Sequence, residues 1–173
     1  MFRIFIDGQN GTTGLQIKDR LAERGDIELI ELLDAERKTD AAKRAALSAA
    51  DVAILCLPDD AARQTAQLAT KARLIDASTA HRTHPDWTYG LPELCPEQRR
   101  KIQTAQRVSN PGCYPTGFIL LLRPLIALGL LKPDQAIFVS ALSGYSGGGK
   151  AMIKDYQEQS QTACRPYGRT LKH

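Results

Sequence analysis

The feature that most constrains this chain lies in its first turn. A short apolar run, Phe2 to Ile6, is broken by Gly8-Gln9-Asn10-Gly11-Thr12-Thr13-Gly14. A helical pattern follows from Thr12 to about Arg24, with Leu15, Ile17 and Leu21 on or near one face. Glycines let the backbone turn tightly and approach a ligand closely. The unpaired N–H groups of a helix start stabilise negative charge. Strand, glycine turn and helix in that order form the local pattern of a turn that holds a dinucleotide pyrophosphate. The spacing is GxxGxxG, not GxGxxG, because Gln9 stands where the first glycine of the usual pattern falls. A plain turn needing positive φ is the alternative, and the flanking strand and helix favour the nucleotide.

The alternation continues. Ile27 to Leu33 reads as a second strand, Ala41 to Ala49 as an alanine-rich helix and Val52 to Leu57 as an apolar third strand. Pro58-Asp59-Asp60 opens a helix to about Lys71, and Arg73 to Asp76 is a fourth strand. Short apolar strands separated by helices predict an α/β fold: a Rossmann-type parallel sheet with helices on both faces. Residues 79–95, with Pro85, Gly90 and Pro92 and the sole Trp87, read as a long ordered loop. A helix over Pro96 to Thr104, a short strand at Arg107 to Ser109, an apolar helix over Gly112 to Leu131 and a strand over Ala136 to Leu142 complete the pattern. The chain then ends at His173 without a closing element. The expected organisation is a nucleotide-binding domain over residues 1–112 and the start of a second α+β substrate domain, incomplete, over residues 113–173.

Composition narrows the classes. Lys+Arg 23 against Asp+Glu 19 leaves +4, spread along the chain without a basic stripe, so no nucleic-acid partner is expected. Apolar runs are far shorter than a membrane span and the first residues carry no secretion leader, so no membrane partner is expected and the cytoplasm is the expected location. Cys56, Cys95, Cys113 and Cys164 show no CxxC spacing, and His81, His84 and His173 form no HExxH, so neither a disulfide frame nor a metal site is expected.

The end of the second strand bears on which nicotinamide cofactor is bound. Asp34 stands about twenty residues beyond the glycine turn, where an acid bonds the ribose 2′-hydroxyl of NAD. Arg37 and Lys38 follow, and two cations there suit a 2′-phosphate. On spacing alone a solvated turn is the better explanation of Arg37-Lys38, and the residues leave the cofactor open.

Ser109-Asn110-Pro111-Gly112-Cys113-Tyr114-Pro115-Thr116 carries the most chemistry. Asn110 suits an N-cap and Pro111 the first helical position, which puts Cys113 in the first turn of a helix. Free N–H groups and the positive dipole end favour a thiolate there, and the same N–H groups can stabilise an oxyanion. Cys113 is therefore the expected nucleophile. Cys56, between Leu55 and Leu57 in a strand, reads as structural.

A nucleotide fold with an activated cysteine at a domain junction suggests acyl transfer to sulfur followed by hydride exchange. At this point the chain closely resembles the N-acetyl-γ-glutamyl-phosphate reductase family, in its shorter variety. The resemblance runs through the glycine turn, Ala53-Ile54-Leu55-Cys56-Leu57-Pro58-Asp59-Asp60-Ala61, Ile75-Asp76-Ala77-Ser78-Thr79-Ala80-His81-Arg82 and Tyr89-Gly90-Leu91-Pro92-Glu93-Leu94. It continues through Pro111-Gly112-Cys113-Tyr114-Pro115-Thr116-Gly117 and Ser143-Gly144-Tyr145-Ser146-Gly147-Gly148-Gly149-Lys150. Leu121 departs from the family's preference for a small residue, a matter of helix packing.

The resemblance implies NADPH-dependent reduction of N-acetyl-γ-glutamyl phosphate to the semialdehyde through a thioester on Cys113, in arginine biosynthesis. The substrate is a small molecule and the full-length form a homo-oligomer. It implies NADP(H), which favours Arg37 and Lys38 as readers of the 2′-phosphate. Gly8, Gly11, Thr12, Thr13, Gly14, Leu57, Pro58, Ser78, Gly147 and Gly148 would line the cofactor, and Arg82, Asn110 and Ser143 the substrate. The family's acid/base histidine falls in a motif that His173 would begin, so it is expected beyond this chain. Two rival classes remain. One is a P-loop enzyme, since Gly144 to Lys150 nearly spells G-x-x-x-x-G-K-[ST], although Ala151 replaces the hydroxyl for magnesium. The other is an NADP-sensing domain without catalysis, which would have no use for an activated thiol.

Overall fold

The structure is a computed structural model of the chain. It describes residues 1–158 apart from residues 10, 34, 70, 145, 146 and 148. The chain divides into two compact units, the first Met1–Phe138 and the second starting at Val139.

The first unit is built on a 6-stranded sheet in the order β2-β1-β3-β4-β6-β5, and every pairing is parallel. Its strands are β1 (Phe2–Asp7), β2 (Ile27–Ile30), β3 (Val52–Leu55), β4 (Arg73–Asp76), β5 (Thr88–Tyr89) and β6 (Arg107–Ser109). Its helices are α1 (Thr12–Ala22), α2 (Asp40–Ala49), α3 (Asp59–Leu68), α4 (Gln98–Thr104) and α5 (Cys113–Ala127). β1 is an inner strand, next to the edge strand β2, and its last four residues are buried. Leu47 of α2 and Ala66 and Leu68 of α3 pack with Phe5, Leu55, Leu74 and Trp87 in one core. β1 lies between β2 and β3 in the sheet. The chain therefore leaves β1 in one direction to make β2 and returns across it to make β3. This is a topological switch point, and the crevice beyond the carboxyl ends of β1 and β3 is where such sheets bind ligands.

Several elements differ from the sequence expectation. β2 stops at Ile30, not Leu33, because residues past it fold into a turn in which Glu36 and Arg37 donate backbone N–H to Leu33 O. α3 stops at Leu68. The loop after Ser78 contains β5, which pairs with β6, and a 3-10 turn at Pro92–Leu94. Gly90 permits that pairing: its N–H donates to Ser109 O at 2.8 Å, and a Cβ there would meet the same oxygen at 3.0 Å. The apolar helix runs Cys113–Ala127, ending four residues short of Leu131. It is tied back to the 3-10 turn where Arg123 Nε donates to Leu94 O at 3.0 Å.

The strand expected over residues 136–142 is not formed. Those residues are exposed, and a strand needs a neighbour for its N–H and C=O groups, which no described residue supplies. The second unit holds instead a helix to which the sequence pattern assigned no element, α6 (Gly149–Glu158). No helix among the described residues is long and apolar enough to cross a membrane.

Candidate active site

The glycine turn closes on itself at the switch point. Gly8 has φ 88°, and a Cβ on it would run into the carbonyl oxygen of Cys56 at the end of β3. Gly11 donates its N–H to Gly8 O at 2.9 Å and sits at the N-cap of α1. Gly14, in the first turn of α1, packs on the Gly8 carbonyl so closely that a side chain would overlap it. Strand end, turn and helix start therefore meet with only glycine hydrogens between them. Gly11 offers no side chain to cap α1, which leaves the leading N–H groups of the helix to a ligand. Thr12 and Thr13 open that helix, with Thr13 exposed. A cradle of this shape, with a helix dipole behind it, fits the pyrophosphate of a dinucleotide.

A cleft of about 390 Å³ extends from the cradle, lined by Gly8, Gln9, Gly11, Leu32, Arg37, Lys38, Lys43, Leu57 and Ala61 among others. Arg37 and Lys38 thus share one cleft with the glycines, and Arg37 Nε donates to Leu32 O at 3.3 Å. Asp34, the other candidate for reading the ribose, lies outside the described residues. Leu57 lies on the wall beside Gly8, and Pro58 caps α3, accepting the Ala62 N–H at 2.9 Å.

The floor of the cleft holds a polar cluster that the sequence reading missed. Lys43 Nζ lies 2.7 Å from Asp7 Oδ2, and Thr65 Oγ1 donates to the same oxygen at 2.9 Å. An acid ending an inner apolar strand was the available signal, because a buried carboxylate there requires a partner. Cys56 donates its backbone N–H to the Asp7 carbonyl at 2.8 Å, and burial, with the negative charges of Asp76 and Asp7, pushes its thiol up to about 11. It is a poor nucleophile, as expected, although β3 stops at Leu55 and leaves Cys56 just past the strand.

At the carboxyl end of β4 and β6 a second cluster surrounds the cysteine segment. Asp76 is fully buried, and its carboxylate accepts the Ser78 N–H at 3.0 Å and the Ser78 hydroxyl at 2.7 Å. His81 Nδ1 lies 2.6 Å from the same carboxylate. Ser78, expected beside the cofactor, thus turns its hydroxyl inward to Asp76. The Asp76 carbonyl accepts the Asn110 N–H at 2.7 Å, which joins β4 to the segment before the cysteine.

The helix begins two residues later than the sequence suggested. Gly112, not Asn110, is the N-cap, and Cys113, not Pro111, is the first helical residue. Extended φ and ψ of −75° and 155° at Gly112 delay the start, and Asn110 turns its amide to Pro111 O instead. Cys113 is exposed. Arg82 packs against the segment just before it: its Nε donates to Asn110 O at 3.3 Å, and its Nη1 stands 2.6 Å from where a Gly112 Cβ would be. A side chain at Gly112 would displace the guanidinium from this place. Arg82 has no acidic partner among the described residues, so its charge is available to an anion next to Cys113.

The remaining candidates belong to the second unit or beyond. Ser143 is exposed and bonds Gly144 O at 3.3 Å; Gly147 donates to the same carbonyl at 2.9 Å. Gly148, Cys164 and His173 lie outside the described residues. Residues 136–142 form no strand ahead of the second glycine cluster, which deprives the P-loop reading of the strand that motif requires.

Comparison with known proteins bears on both clusters. Residues 3–102 match the family described as semialdehyde dehydrogenase, NAD binding domain, and residues 113–173 the family described as semialdehyde dehydrogenase, dimerisation domain. The chain is 54% identical over 175 residues to the N-acetyl-gamma-glutamyl-phosphate reductase of Mesorhizobium japonicum, covering 99% of this chain and 57% of that protein. It is 55% identical over 174 residues to the protein of the same name from Trichormus variabilis, covering 96% and 54%. The chain spans about half the length of the curated relatives it matches. Among solved structures, aspartate semialdehyde dehydrogenase II of Vibrio cholerae superposes with TM-score 0.61 at 18% identity, covering 92% of this chain and 51% of that one. At that identity the likeness concerns the fold.

Proposed function

The chain belongs to the semialdehyde dehydrogenase family, and on that premise we propose that it is the cofactor-binding and cysteine-bearing part of an N-acetyl-γ-glutamyl-phosphate reductase. The reading rests chiefly on one observation. Cys113 is exposed at the first position of α5, directly after the Gly112 that the Arg82 guanidinium lies against, in a chain that also carries a dinucleotide cradle. The names of relatives at 50–55% identity supply the substrate class.

The chemistry follows from the residues. Cys113 sulfur attacks the acyl carbon of the γ-glutamyl phosphate, the C–S bond forms, and the C–O bond to phosphate breaks. Arg82 binds the leaving phosphate or the substrate carboxylate, and Asn110 and Ser143 are proposed to contact the substrate. Leading N–H groups of α5 stabilise the oxyanion. When bound, NADPH supplies the hydride that converts the thioester carbon to the aldehyde, and the thiolate is released. Gly8, Gly11, Thr12, Thr13 and Gly14 hold its pyrophosphate. Arg37 and Lys38 hold the 2′-phosphate, and Leu57, Pro58, Ser78, Gly147 and Gly148 line the remainder.

Residues 1–112 are proposed as the cofactor domain and residues 113–173 as the beginning of the catalytic domain. A homo-oligomer in the cytoplasm, making the semialdehyde for arginine biosynthesis, completes the reading. The test is the first half-reaction. Incubation with N-acetyl-γ-glutamyl phosphate should release phosphate and leave an acyl group on the Cys113 peptide, seen by mass spectrometry, and Cys113→Ser should show neither. Phosphate release by the Ser variant at the parent rate would overturn the covalent mechanism.

A further inference from the structure

The Asp76–His81 pair has no part in the chemistry above, yet it occupies the joint between the two strand ends nearest Cys113. His81 is 6% exposed, and its ring stacks on Trp87 at 4.0 Å between centroids and 10° between planes. The edge of His84 lies against it at 6.0 Å. The Asp76 carboxylate already accepts two hydrogens from Ser78. As an acceptor it takes a third from His81, which places that ring's hydrogen on Nδ1.

We propose that His81 is a positioning residue for the cysteine site: its Nδ1–H bond to Asp76 locks the turn that holds Arg82 against Gly112, one residue before Cys113. The inference rests on the reading of Arg82 as the anion-binding cation beside the nucleophile. The geometry carries it in three links. Asp76 is the fixed point, fully buried and bonded through its own carbonyl to Asn110 N–H at 2.7 Å. His81 ties the far end of the turn to that point. Arg82, the next residue, spans from the turn to Asn110 O. Turn and cysteine segment are therefore held to the same aspartate from both sides. Without the His81 bond the start of the turn stays tied, by Thr79 to the Asp59 carboxylate and by Ala80 N–H to Ser78 Oγ, but among the described residues the backbone at Arg82 itself has the Arg82 N–H to Thr79 O contact at 3.5 Å and, beyond it, the His84 N–H to His81 O bond at 3.2 Å.

The test compares two alkylating reagents on the 173-residue chain, with peptide mass spectrometry reading Cys113 alone. Iodoacetate is an anion and iodoacetamide is neutral, so the ratio of their rates reports a cation held beside the sulfur and cancels changes in thiol exposure. Arg82→Ala should lower the ratio about threefold, the size of a partly exposed charge interaction. His81→Gln, whose amide falls where Nε2 was, should lower it similarly. His81→Asn, whose amide falls where Nδ1 was, should retain it. Each variant is first shown to keep the parent circular dichroism, and the Asn variant alone suffices if the Gln variant does not fold. A lowered ratio in the folded Asn variant, or a parental ratio in the folded Gln variant while Arg82→Ala lowers it, overturns the role of His81 and leaves that of Arg82 standing. A parental ratio in Arg82→Ala overturns both.

Discussion

Gly8 lies against the Cys56 carbonyl oxygen at φ 88°, with no space for a side chain between the end of β1 and the end of β3. The contact fixes how closely the cradle approaches the sheet. Two penalties follow for Gly8→Ala: a left-handed backbone that alanine resists, and an overlap that only movement of β3 or the turn relieves. The expected outcome is a loss of more than about 1 kcal/mol of stability in urea unfolding and loss of NADPH binding, followed by nicotinamide fluorescence. An alanine variant that binds like the parent would show that the cradle is not the pyrophosphate site.

Thiol reactivity should rank the cysteines by position. Cys113 is exposed at a helix start, and Cys56 is partly buried with its thiol raised to about 11. At pH 8 roughly one Cys56 in a thousand is then a thiolate, the reactive form. Iodoacetamide mapping should find Cys113 modified first and Cys56 last. Faster labelling of Cys56 in the folded chain would contradict the burial described here.

The same thiol sets a pH dependence of stability. Its folded value, about 11, is above the ordinary 9.0 because burial and two neighbouring carboxylates disfavour the anion. The unfolded chain therefore releases this proton first as pH rises. The contribution of Cys56 is intact below about pH 9 and is lost as pH climbs to about 11. Thermal unfolding of the parent and of Cys56→Ala should converge across that window, with the parent falling faster. Parallel curves would remove Cys56 from the account.

Much of this was legible from residue order, and the reasons it stopped are local. The glycine turn was readable because its demands are backbone demands, met by few residue types. Cys113 was readable because a helix start can be placed from its neighbours. Even there Gly112 displaced Asn110 as the cap: Gly112 takes the extended backbone and the Asn110 amide turns to Pro111 O. Lys43, Asp7 and Thr65 were not legible, because three elements meet there and none marks the others. The expected strand over residues 136–142 had the right residues, but a strand is a property of a pair.

Lys43 offers a stability test of that hidden cluster. Lys43 and Asp7 side chains are 14% and 8% exposed and joined at 2.7 Å. Removing the ammonium strands a carboxylate that water reaches poorly. Lys43→Met should cost about 3 kcal/mol in urea unfolding. Adding Asp7→Asn should restore part of that loss, since no charge is then left unpaired. A single variant as stable as the parent would mean that water solvates Asp7 directly.

Cofactor choice is the sharpest test of the cleft. Arg37 and Lys38 line it together with the glycines, although Arg37 already gives Nε to Leu32 O. Both line the cleft and Lys38 is exposed, which places the pair to meet a phosphate on the ribose. Charge-assisted hydrogen bonds contribute about 1.5–3 kcal/mol, which is about one to two orders of magnitude in affinity. Arg37→Ala with Lys38→Ala should weaken NADPH binding by that factor and leave NADH unchanged, since only the former carries the 2′-phosphate. The two titrations need the same ionic strength, because salt screens exposed cations. Equal weakening of both cofactors would show that these residues shape the cleft without reading the phosphate, and discrimination would then fall to Asp34 or Lys43.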